Sequence, residues 1–288
     1  MRPGEMSIYR TNMIRLVFGF ILSSLLFRYS NHSLLHQLLQ PVIFKNDGDF
    51  TYWLYHILGL GKLIVQNSAG ALIFDCLLVL SCLVTLIYPL QKISVIVFSL
   101  LYPLYFLGYN SFVGHHSGPM IGILFISFAF WAGKENTFLL IWQALRYYTI
   151  LVYVSAFCWK VFVGASVFDS REAAAIVKEN LGLYLYQNAD TVFAHILYWF
   201  FQHPLILYAG YCLAVLAQGA MVIGLFTKKY DRYIGWLPVF FHLSTYFFVD
   251  VCFFELLILN FTFIGPNTFS RFLSLFKRKL KLVNTPTV

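Results

Sequence analysis

Long apolar segments, each of a length that crosses a lipid bilayer, recur along almost the whole chain. Such a segment needs about 20 predominantly apolar residues, and a chain of 288 residues has room for several. Only 11% of the residues are charged and 60% are hydrophobic, whereas a soluble domain has about 25% charged residues. A water-soluble fold of this size could not bury so much apolar surface. The chain is therefore predicted to be a polytopic integral membrane protein.

Helices rather than strands are predicted for these segments, because the apolar runs lack the alternation of a membrane β-barrel. The predicted fold class is an all-α bundle of about eight transmembrane helices, with additional interfacial helices. The last two spans abut at Asp250, so either their connection is tight or one helix is irregular. The predicted spans cover residues 12–28, 70–90, 94–113, 117–133, 138–163, 205–226, 233–249 and 251–266.

Two segments between the spans have a mixed composition. Residues 30–68 are predicted to form interfacial or re-entrant helices. Residues 165–204 contain "SREAAAIVKENLGLYL", which is typical of an amphipathic helix with Ser170 as its candidate cap. The chain shows no clear internal repeat and no paired broken helices, so a transporter is disfavoured.

Positive charge is unevenly distributed across this topology. If the N-terminus is cytoplasmic, thirteen of the twenty Lys and Arg residues lie on the cytoplasmic side and six on the other, with Arg146 inside a span. This excess follows the positive-inside rule and places both termini in the cytoplasm. The net charge of +8 thus indicates topology rather than nucleic-acid binding. Residues 267–288 are predicted to be a basic cytoplasmic tail that lies on anionic lipid.

Ionisable side chains inside predicted spans are functional candidates, because a charge is costly in lipid. The five cysteines are predicted to be small core residues, since none has the spacing of a metal site, and no metal is expected. The ionisable candidates are Asp75, His115, His116, Arg146, Lys160, His242, Asp250 and Glu255.

Several candidates are predicted at similar depth near the external face. The third span ends at about residue 113, so His115 and His116 follow on that side, where they could also form a polar loop before a Gly-Pro turn. Lys160 lies about 33 Å along the fifth span at 1.5 Å per residue, close to the same boundary. Asp250 closes the seventh span there, and Glu255 follows it. These groups are expected to converge on a cavity in the outer half of the bundle.

The fifth span carries Arg146, Tyr153 and Lys160 at intervals of seven residues. Seven residues are nearly two helical turns, so the three side chains share one face, which is predicted to point into the bundle. Structural interpretations stay open for two of them. Lys160 could be an interfacial lysine whose amine reaches the headgroups, and Arg146 could have a structural partner such as Asp75 or Glu255. His242 could likewise be a hydrogen-bonded core histidine.

Three motifs carry a family resemblance. "LRYYTILVYVSAFCWK" resembles the segment of vitamin K-dependent gamma-carboxylases that ends in their catalytic lysine, which Lys160 matches. "GHHSGPMIGILFISF" resembles their Asn-His-Ser stretch, where His116 and Ser117 match the His-Ser pair. "FFHLSTYFF" resembles their Phe-His segment and places His242. On these motifs the chain is identified as a member of the wider horizontally transferred transmembrane (HTTM) family, with the domain at residues 1–266.

The resemblance implies quinone chemistry. Lys160 would be the base that deprotonates reduced vitamin K or menaquinol, His116 would be its catalytic partner, and O2 would convert the quinol to an epoxide. It implies His115, Tyr153 and His242 as cofactor-binding residues. CO2 would be a further substrate if carboxylation is retained.

The remaining polar candidates in the spans are Arg146, Asp250 and Glu255, which are assigned structural roles. The sequence departs from the carboxylase pattern, since Trp159 stands where the family has a second lysine and His115 where it has asparagine. The chain also stops at residue 288, without the large extra-membrane domain of the carboxylase, so carboxylation of a protein substrate is disfavoured.

An alternative function comes from short bacterial HTTM proteins of the SdpB-like group. It is a membrane role in maturation, export or immunity of a secreted peptide, with that peptide or its processing proteins as partners. In both cases the lipid bilayer is a partner, and the expected location is the bacterial inner (cytoplasmic) membrane.

Overall fold

Helices form all the regular secondary structure in the described residues. The structure, a computed structural model, describes residues 3–38, 57–65, 67–112, 126–164, 166–249 and 254–270, and no strand lies within these ranges. The predicted all-α class is thereby confirmed. Five helical segments are long and apolar enough to cross a membrane, and they match predicted spans one, two, three, five and six: Met6–Ser30, Ser68–Ile87, Lys92–Tyr109, Glu135–Val163 and Pro204–Phe226.

The described part of the chain contains ten α-helices, shorter 3₁₀ and π-helical turns between them, and a further α-helical stretch at residues 266–270. The α-helices are α1 (Pro3–Ser30), α2 (Ser68–Ile87), α3 (Lys92–Phe112), α4 (Glu135–Cys158), α5 (Glu172–Gln187), α6 (Val192–Gln202), α7 (Pro204–Ala220), α8 (Ile223–Phe226), α9 (Asp231–Ile234) and α10 (Leu237–Val249). The 3₁₀ segments are Ile126–Trp131, Ser166–Phe168 and Phe254–Phe263, and the π-helical turns are Gly61–Val65 and Trp159–Val163.

The chain divides into two compact units, and the boundary falls within α4. The first unit contains Met1–Leu145 together with Phe261–Val288, and the second contains Arg146–Asn260. The second unit contains Lys160, and the site around this lysine lies within that unit alone.

Aromatic side chains form much of the core of the first unit. Phe18 on α1 meets Phe98 on α3 edge to face, with ring centroids 4.9 Å apart, and Tyr102 stacks on Phe98 at the same distance. The Tyr9 hydroxyl donates to the carbonyl of Ile264 at 2.6 Å, which ties the segment after residue 261 to α1. The high aromatic content is therefore used in packing, since such rings bury large areas and favour tilted pairs.

The seventh predicted span, residues 233–249, is interrupted by a turn in the structure. Helix α9 ends at Ile234, and α10 begins only at Leu237. Pro238 has no N–H to donate to the Ile234 carbonyl, so a continuous helix is interrupted here.

The eighth predicted span contains an irregular helix, which was one of the two expected outcomes. Phe254–Phe263 is a 3₁₀ helix of ten residues, an unusually long run for a geometry with poorer hydrogen bonds. Other predicted elements lie partly or wholly outside the described residues. They include residues 39–56 and 66 of the segment 30–68, residues 117–125 of the fourth span, Asp250 and the tail after residue 270.

The predicted amphipathic helix is confirmed as α5, but its predicted cap is wrong. The helix starts at Glu172, and the residue before it, Arg171, makes no side-chain capping bond. Asp169, rather than Ser170, accepts a backbone hydrogen bond here, from Arg171 N at 2.9 Å. The apolar stripe of α5 packs against α6 and α7 through Ala173, Val177, Leu181 and Leu185, at four-residue intervals.

Candidate functional site

The seven-residue face predicted on the fifth span is confirmed in the second unit. Arg146 and Tyr153 are 2% and 3% exposed, respectively, and Lys160 is half-buried. All three side chains turn toward other parts of that unit, and each meets a different environment. Arg146 has a carboxylate partner, Tyr153 has a histidine partner, and Lys160 lines a cavity.

Arg146 is held by Asp231, at the start of α9. Its Nε and Nη2 donate to the two carboxylate oxygens at 2.9 and 2.5 Å, and Nη2 also donates to the Gly224 carbonyl at 2.9 Å. A structural role for Arg146 was anticipated, but the candidate partners Asp75 and Glu255 omitted Asp231. The reason is that Asp231 lies in a short polar connection between predicted spans, where no sequence pattern indicates a buried carboxylate.

Asp75 has its own partner in the first unit. Its Oδ2 accepts from the backbone N of His36 at 2.9 Å and lies 2.8 Å from the His36 Nδ1. Asp75 is buried on α2, so this pairing supplies hydrogen bonds to a carboxylate inside a candidate span.

Tyr153 and His242 contact each other. The Tyr153 hydroxyl lies 2.7 Å from His242 Nε2, and both side chains are buried. The sequence suggested both as cofactor-binding residues, yet neither is among the residues that line the cavity. Their geometry matches the interpretation of His242 as a hydrogen-bonded core histidine, and the pair joins α4 to α10.

Lys160 lies where the long helix changes geometry. Helix α4 ends at Cys158, and residues 159–163 continue it as a π-helical turn. This turn is closed by a bond from Gly164 N to the Trp159 carbonyl at 2.8 Å. Such wider turns are rare and occur frequently at functional sites. The turn places Trp159 largely exposed, while the next residue, Lys160, lines a partly open cavity.

A cavity of about 350 Å³ lies within the second unit, between the π-helical turn and helices α5, α6, α7 and α10. Its walls are mostly aliphatic and aromatic, including Ile206, Val215, Phe241 and Phe248. Lys160 is the one charged side chain among the described residues that line it. The volume falls in the range of about 300–1,000 Å³ that is usual for small-molecule sites, which are apolar with a few polar groups.

The Lys160 amine has no carboxylate partner or hydrogen bond in the described part of the chain. An unpaired amine in apolar surroundings is poorly stabilised as a cation, because burial without a counter-ion removes its hydration. The arrangement therefore favours a ligand whose polar group meets Lys160 and whose apolar body fills the cavity.

Several cavity residues were missed from sequence, among them Gly210, Tyr211, Ser244 and Thr245. Gly210 on α7 lines the cavity, and a Cβ placed there meets no atom within 4 Å. Ser244 and Thr245 on α10 supply hydroxyl groups. Two adjacent hydroxyl residues in the apolar run "FFHLSTYFF" were a usable signal, whereas the role of Gly210 depends on how the helices pack.

The other predicted site residues are not found among the described residues that line the cavity. His115 and His116 lie outside the described residues, as does Asp250. Glu255 is buried at the start of the 3₁₀ helix and does not line the cavity. Within the described ranges, no group of three His, Cys, Asp or Glu side chains could hold a metal ion.

Comparison with known proteins adds no assignment. No family model matches the chain, and no curated protein or solved structure matches it. The family resemblance therefore rests on the three sequence motifs, and the site rests on its own geometry.

Proposed function

We propose that this protein is an integral membrane enzyme that oxidises a reduced naphthoquinone to its epoxide, with Lys160 as the base. The observation that carries the proposal is the position of Lys160, which is the one charged group among the described residues lining an apolar cavity. The matching lysine motif supports membership of the HTTM family, with a chemistry like that of vitamin K-dependent gamma-carboxylase.

The residues present fit a naphthoquinol in three respects. The cavity volume of about 350 Å³ is sufficient for a small aromatic ligand. Phe241 and Phe248 offer aromatic faces to a fused ring. Lys160 offers a nitrogen to a ligand hydroxyl, which is the contact that a general base needs.

The role of Lys160 is to remove the proton of one quinol hydroxyl. Overall, one quinol and one O2 give one quinone epoxide and one water, so the atoms and electrons balance without another reductant. The apolar walls limit the contact of Lys160 with water, which would otherwise compete for the base. His116 is the proposed catalytic partner and His115 a proposed cofactor contact, while CO2 enters only if carboxylation is retained.

The proposed topology has eight spans with both termini in the cytoplasm of a bacterium, in its inner membrane. The distribution of basic residues supports this orientation, since thirteen of the twenty lie on the proposed cytoplasmic side. In that orientation Lys160 lies toward the external half of the bilayer, and a lipid-soluble quinol would reach it from the membrane.

Filling the cavity tests the proposal. Gly210→Trp places an indole in the open space beside the glycine, and we expect epoxide formation to fall about tenfold or more, because the ring occupies the ligand volume. Gly182→Trp is the matched control, since Gly182 also has open space around it but does not line the cavity. Purified protein in lipid nanodiscs would receive reduced vitamin K or menaquinol, and the epoxide would be measured by chromatography.

Absence of epoxide with the unaltered protein would contradict the proposed reaction. Equal activity in Gly210→Trp and in the Gly182→Trp control would remove the cavity from the reaction. A protein that makes no epoxide but is required for maturation of a secreted peptide would favour the peptide-directed alternative.

A further inference from the structure

Helix α10 contributes two hydroxyl residues to the lining of the cavity, Ser244 and Thr245. Their hydrogen bonds bear on which redox form of the ligand the cavity binds, a choice that the proposed reaction alone does not require. We propose that these two residues make the cavity bind the reduced hydroquinone more tightly than the oxidised quinone. The inference rests on the proposed function and adds a specificity for one redox form of the ligand.

Both hydroxyl protons are already used within the helix. The Ser244 hydroxyl donates to the Phe241 carbonyl at 2.7 Å, and the Thr245 hydroxyl donates to the His242 carbonyl at 3.1 Å. A hydroxyl has one donor proton and two acceptor lone pairs. In this arrangement Ser244 and Thr245 therefore face a ligand as hydrogen-bond acceptors.

Lys160 does not distinguish the two forms in the same way. An uncharged base accepts a proton from a ligand O–H through its lone pair, but a neutral amine also has two N–H groups that can donate to a quinone carbonyl, and the Tyr211 hydroxyl in the lining can donate as well. The preference therefore rests on Ser244 and Thr245, which face the ligand as acceptors. A hydroquinone has two O–H donors for these acceptors, whereas a quinone has two carbonyl acceptors and no donor.

An oxidised ligand can be accommodated only at a cost. For its carbonyl to receive a hydrogen bond from Ser244 or Thr245, that hydroxyl must rotate away from its helix carbonyl. Binding the quinone in this way breaks one hydrogen bond and forms another, so no hydrogen bond is gained. Each hydroxyl is therefore expected to change the ratio of quinol affinity to quinone affinity about threefold, and the pair about tenfold. The epoxide product also lacks O–H groups, so the same two residues favour its release after reaction.

The test compares the affinities of menadiol and menadione without oxygen, so that no turnover occurs. The protein would be held in nanodiscs, with dithionite present for the reduced form, and binding would be measured by equilibrium dialysis. We expect the unaltered protein to bind menadiol about tenfold more tightly than menadione. In the isosteric double variant Ser244→Ala/Thr245→Val, the ratio of the two dissociation constants should fall to about one.

A matched control has the same hydrogen bond in a different place. The Ser155 hydroxyl also donates to the carbonyl three residues earlier, Val152, at 2.9 Å, but Ser155 does not line the cavity. Ser155→Ala should leave the ratio unchanged. The single variant Ser244→Ala, a smaller perturbation than the double change, should give an intermediate ratio.

The outcomes separate the two proposals. Equal affinities in the unaltered protein, or a ratio that persists in the double variant, would overturn the redox preference while leaving quinol oxidation intact. Binding of neither form would contradict the proposed function, and the redox preference with it.

Discussion

Replacement of Lys160 with methionine is expected to lower epoxide formation by about 100-fold or more, because a positioned general base contributes about 10²–10⁴-fold to a rate. Methionine retains a long apolar side chain in the cavity and removes only the amine. The loss should therefore appear in kcat, with a small change in KM, since most of the ligand contacts are apolar. Steady-state kinetics in nanodiscs with reduced vitamin K would measure both constants.

A lysine elsewhere in the same unit provides the control. Lys178 is exposed on α5, with its amine 5.2 Å from the centre of the Phe201 ring, and it does not line the cavity. Lys178→Met should retain full activity. Equal kcat values in Lys160→Met and Lys178→Met would show that Lys160 is not the base.

Removal of the Asp231 carboxylate is expected to destabilise the protein by about 3–5 kcal/mol, because it leaves a buried arginine without its counter-ion. The side chains of Arg146 and Asp231 are 2% and 16% exposed. The arginine also donates to the Gly224 carbonyl. Loss of the Asp231 carboxylate should therefore loosen the contacts that Arg146 makes between α4 and the α8–α9 region. Thermal unfolding of Asp231→Ala in detergent would measure the effect.

The second unit contains a pair of the same chemistry on its surface. Arg171 also donates to both oxygens of Asp169, at 3.1 Å each, but these side chains are 88% and 44% exposed. The arginine hydrogen bonds lower the pKa of the Asp169 carboxyl. Solvent screens such a pair, so Asp169→Ala should leave the unfolding temperature unchanged. Equal shifts for Asp231→Ala and Asp169→Ala would contradict a stabilising role of the buried pair.

Most of the described long helices could be predicted from sequence, because length and apolarity alone define a bilayer-spanning segment. The five segments found in the structure match five predicted spans. The break between α9 and α10 was also accessible from sequence, since Pro238 cannot donate a backbone hydrogen bond within a helix.

The cavity could be predicted only in part. The seven-residue spacing correctly indicated that Arg146, Tyr153 and Lys160 share an inward face. The partner Asp231 and the open space beside Gly210 arise from contacts between residues distant in sequence. The π-helical turn at residues 159–163 also has no periodic signal of its own, because it changes the helix for one turn only.

The central claim is that the Lys160 cavity binds the quinol, and photolabelling tests it most directly. A photoreactive naphthoquinone, reduced before irradiation, would be added to the protein in nanodiscs, and labelled peptides would be identified by mass spectrometry. We expect label on the cavity walls in α7 and α10, near Gly210 and Ser244, and loss of that label with excess reduced vitamin K. Label confined to other segments, or label that the competitor does not displace, would contradict the assignment of this cavity.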